Sequence, residues 1–85
     1  MSESKLREAI CAQVAKLVHE KRIERGLSMT ELAARAGLSR AMISFVERDM
    51  RNPTLETLLR ICGVLKVELA DFIREATNRA KSKLR

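Results

Sequence analysis

The chain is poor in aromatic side chains: it has no tryptophan and no tyrosine, and its only phenylalanines are Phe45 and Phe72. Its core must therefore be built from Leu, Ile, Val, Ala and Met, which suits packed helices better than a sheet. Only three glycines and one proline punctuate it. One histidine, His19, and two distant cysteines, Cys11 and Cys62, give no CxxC pair and no zinc-ligand set. Each cysteine sits among apolar neighbours on a helical stretch and reads as a small buried hydrophobe. No apolar run approaches the ~20 residues that a membrane span needs. No secretory signal pattern opens the chain, so a cytoplasmic location is expected. No glycine-rich phosphate loop is present, and carboxylates such as Asp71 and Glu75 stand at helical spacing, where solvated surface charge is the ordinary explanation. Catalytic residues, metal ligands and cofactors are not expected, and no small-molecule effector is evident.

What remains is sufficient for one globular domain, residues 1–85. Hydrophobic residues make up 46% and charged residues 33%, which argues against disorder. Seventeen Lys and Arg against eleven Asp and Glu give a net charge of +6. That excess fits a polyanionic partner such as nucleic acid, or simply a basic soluble protein.

Five helices are predicted. Leu6, Ile10, Val14 and Leu17 lie at helical spacing within a first helix from about Ser4 to Arg25, ended by Gly26 in a left-handed conformation. Ser28 and Glu31 form a capping-box pattern that opens a second helix from Met29 to Ala36, and Gly37 stops it. Ser39 caps a third helix from Arg40 to about Arg48. The connection between these two helices is so short that they must cross steeply. Asp49 to Pro53 is a polar loop, and Thr54 caps a fourth helix from Leu55 to about Leu65. Gly63 within it costs about 1 kcal/mol relative to alanine, or marks the close approach of another backbone. The fifth helix begins near Leu69, and the basic stretch Arg79 to Arg85 is expected to fray.

The third helix turns Ile43 and Val46 inward, against Leu32 and Ala33 of the second. Its other face presents Arg40, Ala41, Ser44 and Phe45. A helix held this way can enter a B-DNA major groove about 12 Å wide. Arg40 can pair with guanine O6 and N7, or act as a phosphate contact or a solvated arginine. Ala41 can touch a thymine methyl, and Ser44 a base edge or a phosphate.

The stretch from Leu27 through Gly37 and Leu38-Ser39-Arg40-Ala41-Met42-Ile43-Ser44, continued by Glu47 to Leu58, resembles the XRE (phage repressor and Cro type) helix-turn-helix family. The resemblance covers about residues 14 to 73, and the short chain looks like stand-alone regulators such as restriction–modification controller proteins. It implies an all-α, lambda-repressor-like five-helix bundle, here with extended first and last helices, and a helix-turn-helix over about residues 28–48. It implies a homodimeric regulator of transcription that binds a palindromic or pseudo-palindromic double-stranded DNA operator with the third helix in the major groove. The DNA-contacting positions so implied are Ser28, Met29, Thr30, Ser39, Arg40, Ala41, Ser44, Phe45, Arg51 and Asn52. Arg22 and Glu47 match a family ion pair, expected to be largely buried.

Several positions depart from the family. Met29 stands where a phosphate-binding glutamine is common; the helix N-terminus and Thr30 can still hold an anion. Phe45 replaces a polar or basic residue, and can press on thymine methyls or tuck against the fourth helix or another subunit. Asp49 replaces a glycine, but aspartate tolerates a left-handed conformation better than most residues, so the turn survives; Met50 replaces a lysine.

Family resemblance puts a dimer interface on the fifth helix, at Leu69, Phe72, Ile73, Ala76 and Ala80. The alternative is that this stripe packs within the chain on Leu6 and Ile10 of the extended first helix. A second functional class, an antitoxin-type protein-interaction module with secondary DNA binding, would use an apolar patch at Met42 and Phe45.

Overall fold

The computed structural model describes residues 2–84, which form helices joined by turns, with no strand among them. The helices are α1 (Glu3–Glu24), α2 (Met29–Ala36), α3 (Arg40–Glu47), α4 (Leu55–Leu65) and α5 (Leu69–Lys83). The all-α expectation holds, and each predicted boundary falls within one residue of the observed one, the frayed C-terminal stretch excepted.

The helix starts follow from single side chains. The hydroxyls of Ser2, Ser39 and Thr54 accept the N–H three residues on in α1, α3 and α4. At α2, Ser28 Oγ accepts from Glu31 N at 3.0 Å while Ser28 N donates to Glu31 Oε1 at 2.9 Å. Each side chain satisfies donors that the first helical turn leaves unpaired.

Four helices end by one device. A residue in the left-handed region follows the helix, and the N–H of the next residue returns to a carbonyl five positions back, as from Leu38 to Ala33 at 2.9 Å. Gly26 and Gly37 supply that conformation after α1 and α2. Asp49 (φ 56°) and Lys66 (φ 58°) supply it after α3 and α4, against the steric preference of their Cβ atoms. Asp49 fits the sequence reading of that loop; nothing in the sequence marked Lys66. Gly63 has no neighbouring atom within 4 Å of where a Cβ would stand, so it marks no close backbone approach.

The core joins Leu17 and Val18 of α1, Leu32 and Ala33 of α2, Ile43 and Val46 of α3, Ile61 and Leu65 of α4, and Phe72 and Ala76 of α5. Cys62 is buried with them, whereas Cys11 is half-buried.

The long helices α1 and α5 lie along one another. Phe72 is 1% exposed and Ala76 and Ala80 are 0% exposed within the single chain. The dimer interface expected there must be corrected: α1 and the core already cover these three residues, so they have no surface left for a second copy. Leu69 and Ile73 are half-buried and pack on the same core. The basic stretch does not fray either. It is helical through Lys83, because Arg79 bonds both carboxylate oxygens of Glu20 (3.1 and 3.0 Å) and Glu75 (2.9 Å) while Ala80 is sealed inside. Arg85 lies outside the described residues.

Candidate nucleic-acid interface

Packing of α2 against α3 across their short connection leaves α3 with two unlike faces. Ile43 and Val46 are buried. Arg40, Ala41 and Arg48 are exposed, and Ser44 and Phe45 are half-buried on the outward side. The turn between α2 and α3 is fastened from behind, since Arg60 Nη1 of α4 donates to the Ala36 carbonyl at 3.3 Å. That contact closes an otherwise orphaned carbonyl at the end of α2.

The pair Arg22–Glu47 ties α1 to the end of α3. Arg22 Nε donates to Glu47 Oε2 at 2.7 Å and Nη2 to Oε1 at 3.0 Å, a bidentate arrangement. The side chains are only 8% and 3% exposed. Arg22 Nη1 also donates to the Leu27 carbonyl at 2.8 Å. His19 joins this pair, with Nδ1 2.8 Å from Glu47 Oε1. Burial alone would raise the Glu47 carboxyl, but the bonds from Arg22 and His19 outweigh it and hold the group below the usual carboxylate range.

The remaining candidates separate by environment. Ser28 and Ser39 use their hydroxyl oxygens as helix caps. The Ser28 backbone N–H, and then its hydroxyl, hold the Glu31 carboxyl below its ordinary value. Thr30 is exposed on the first turn of α2, whereas Met29 packs against the core. The Met29 side chain is therefore a packing group, the physical reason a methionine is accommodated there. Met42 likewise packs on the core.

In the loop after α3, Asp49 and Asn52 line a cleft with Ser4, Arg7, Glu8 and Cys11 at the start of α1. Arg51 instead comes back over α3, its Cζ 5.3 Å from the Phe45 ring centroid, with Arg48 Cζ at 5.8 Å. The structure thus groups Phe45 with Arg51 and places Asn52 at the α1 cleft.

Sequence reasoning did not single out Arg48 or His19. Arg48 was within reach of it, since Phe45 and Arg48 are three apart on one helix face. His19 was not, because 28 residues separate it from Glu47.

Charge is distributed unevenly. On α1 and α5 several cations are paired, Lys21 with Glu75, Arg74 with Asp71, and Arg79 with Glu20 and Glu75, whereas Lys5, Lys16, Lys81 and Lys83 form no ion pair among the described residues. Around α2, α3 and the following loop, Arg35, Arg40, Arg48 and Arg51 are exposed, and none forms an ion pair among the described residues. Against these four arginines stand the exposed acids Glu31 and Asp49, so this side of the molecule keeps an excess of positive charge.

The comparisons with known proteins follow the same outline. The Helix-turn-helix family model matches residues 18–72. The chain is 39% identical over 56 residues to the immunity repressor protein of Bacillus phage phi105, a match covering 66% of this chain and 39% of that protein. It is 30% identical over 63 residues to the transcriptional regulator SinR of Bacillus licheniformis, covering 73% of this chain and 57% of that protein. The chain therefore spans about half the length of these curated relatives. Among solved structures, the restriction–modification controller protein C.Esp1396I, a tetramer in complex with its natural 35 base-pair operator, superposes with a TM-score of 0.75 at 28% identity, covering 84% of this chain and 93% of that one. Helix order, the α2–α3 turn and the matched span agree: the chain belongs to the XRE-type helix-turn-helix family.

Proposed function

We propose that this protein is a sequence-specific regulator of transcription that binds double-stranded DNA as a homodimer, with α3 in the major groove. The exposed arginines around the outward face of α3, none of them in an ion pair among the described residues, carry this reading, because a phosphate backbone is the partner that such a surface lacks. Arg40 stands in the first turn of α3, where a guanidinium reaches base edges; a bidentate pair with guanine discriminates by about 1–3 kcal/mol. Ala41, beside it, leaves room for a thymine methyl. The relatives described above, named as regulators of transcription or bound to an operator, support the same assignment.

One α3 helix reads too few base pairs to select a single site, so two copies are required, with half-sites about 34–36 Å apart. With Phe72, Ala76 and Ala80 enclosed, the exposed large apolar side chains that remain for pairing are Leu55 and Leu59, 65% and 52% exposed one turn apart on α4, together with Ile23 and Met50. The protein-interaction alternative finds less support, because Met42 is packed inward and Phe45 lies beneath two arginines.

The test is a binding selection from random duplexes with the wild type and Arg40→Ala in parallel. The expected result is an enriched palindrome with half-sites about one helical turn apart, and loss of preference at one guanine in Arg40→Ala. Binding that enriches nothing and only weakens with salt would reduce the interaction to charge alone.

A further inference from the structure

Phe45 makes two kinds of contact that meet at one point. Its ring lies beneath Arg48 and Arg51, with both Cζ atoms inside the roughly 6 Å over which a cation is drawn to an aromatic face. Its carbonyl accepts the N–H of Met50 at 2.9 Å, the bond that closes the left-handed turn at Asp49 and sends the chain back over α3. Arg48 reaches the ring from one helical turn further on. Arg51 reaches it only because that turn reverses the chain. Two guanidinium groups that would repel each other are held over one ring, and neither has a carboxylate partner among the described residues.

We propose that Phe45 is a positioning residue that gathers Arg48 and Arg51 into a two-armed clamp for adjacent phosphates of the DNA backbone. The inference rests on the DNA-binding reading above and assigns Phe45 no base contact of its own, because the guanidinium groups already occupy its ring. An aliphatic side chain of similar bulk would fill the same space but would draw neither cation. A tyrosine would keep the ring and its attraction.

The test compares wild type, Phe45→Leu, Phe45→Tyr and Arg51→Gln by fluorescence anisotropy, on the duplex that wild type selects and on a scrambled duplex, between about 50 and 200 mM salt. Phe45→Leu is expected to weaken both duplexes about three- to tenfold. Its plot of log affinity against log salt should become shallower by about one to two, one phosphate contact accounting for about 0.9 of slope. Phe45→Tyr should keep the wild-type values. In an Arg51→Gln background, Phe45→Leu should cost less than it does alone, because one arm is already gone. A role confined to folding would lower the melting temperature and leave the salt slope unchanged. Loss of preference at one base pair with an unchanged slope would overturn the clamp in favour of direct base contact; Phe45→Leu equal to wild type would also overturn it.

Should Phe45→Leu not fold, proton NMR of the free wild type decides. The Arg48 and Arg51 side-chain protons are expected upfield of their random-coil positions through the ring current of Phe45. Random-coil values would overturn the proposal. A wild type that selects no duplex overturns the regulator reading and the clamp with it. That outcome is distinct from failure of the clamp alone, in which wild type selects a site and Phe45→Leu binds it equally well.

Discussion

Replacing Glu47 by glutamine removes one charge from the contact that fastens α3 to α1, while changing almost nothing in shape. Arg22 then keeps a charge on a side chain that is 8% exposed, with its counter-ion gone. Removing one partner of a buried pair costs about 3–5 kcal/mol, because the other charge is left without compensation. Two features place this case near the lower end. Glutamine retains an acceptor oxygen for one of the two Arg22 bonds, and Arg22 Nη1 keeps the Leu27 carbonyl at 2.8 Å. A loss of about 3 kcal/mol is a large share of the roughly 4–13 kcal/mol available to a domain of this length. At about 4–8 °C per kcal/mol for a domain of this size, the melting temperature should fall by about 12–24 °C. The assay is far-UV circular dichroism during heating, at one fixed protein concentration so that any association contributes equally. Glu56→Gln is the control, since Glu56 pairs with Arg60 at 3.3 Å on the exposed face of α4, where such pairs contribute at most about 1 kcal/mol. If the two variants melt within about 4 °C of each other, the Arg22–Glu47 pair is effectively solvated and the reasoning from burial is refuted.

The same pair sets a pH dependence. The Glu47 carboxyl lies below the ordinary range in the folded chain, so the stability it brings is present above its unfolded value of about 4.3 and is lost as pH falls through the folded value. The melting-temperature gap between wild type and Glu47→Gln should therefore close as pH falls below about 4.3; a gap that persists into stronger acid contradicts it. Two glycine replacements should act with opposite sign in urea denaturation. Gly37→Ala forces a Cβ into the left-handed region and to within 2.9 Å of Arg60 Nη1, so about 1–2 kcal/mol should be lost. Gly63→Ala meets no atom within 4 Å inside α4, and up to about 1 kcal/mol should be gained.

Features set by short-range chemistry were legible in the chain before it folded. Ser28 with Glu31, Ser39 and Thr54 are helix caps whose partners lie three residues away, so the starts of α2, α3 and α4 could be read directly. Gly26 and Gly37 mark ends for an equally local reason, and Asp49 was legible because aspartate tolerates the left-handed region better than most residues. Lys66 was not, since a lysine takes that conformation only when Val67 behind it has a core to pack on. The inward face of α3 followed from the spacing of Ile43 and Val46, and with it the outward position of Arg40.

Only packing between helices decided what the apolar stripe of α5 would be buried against. The stripe of Phe72, Ala76 and Ala80 is equally suited to a partner chain or to α1, and periodicity does not distinguish them. Packing of α1 along α5 resolves it, because burying these residues within one chain needs no second molecule and no loss of its translational freedom. It also decided that His19 joins a carboxylate 28 residues away and that Arg25 donates to the Leu65 carbonyl at 2.9 Å. Phe45 combines both levels. Its spacing to Arg48 is written in the sequence, but the return of Arg51 over the same ring depends on the turn at Asp49. Contacts within one helical turn are set by the chain's own geometry. Contacts between turns and helices exist only once the core has fixed where each helix lies.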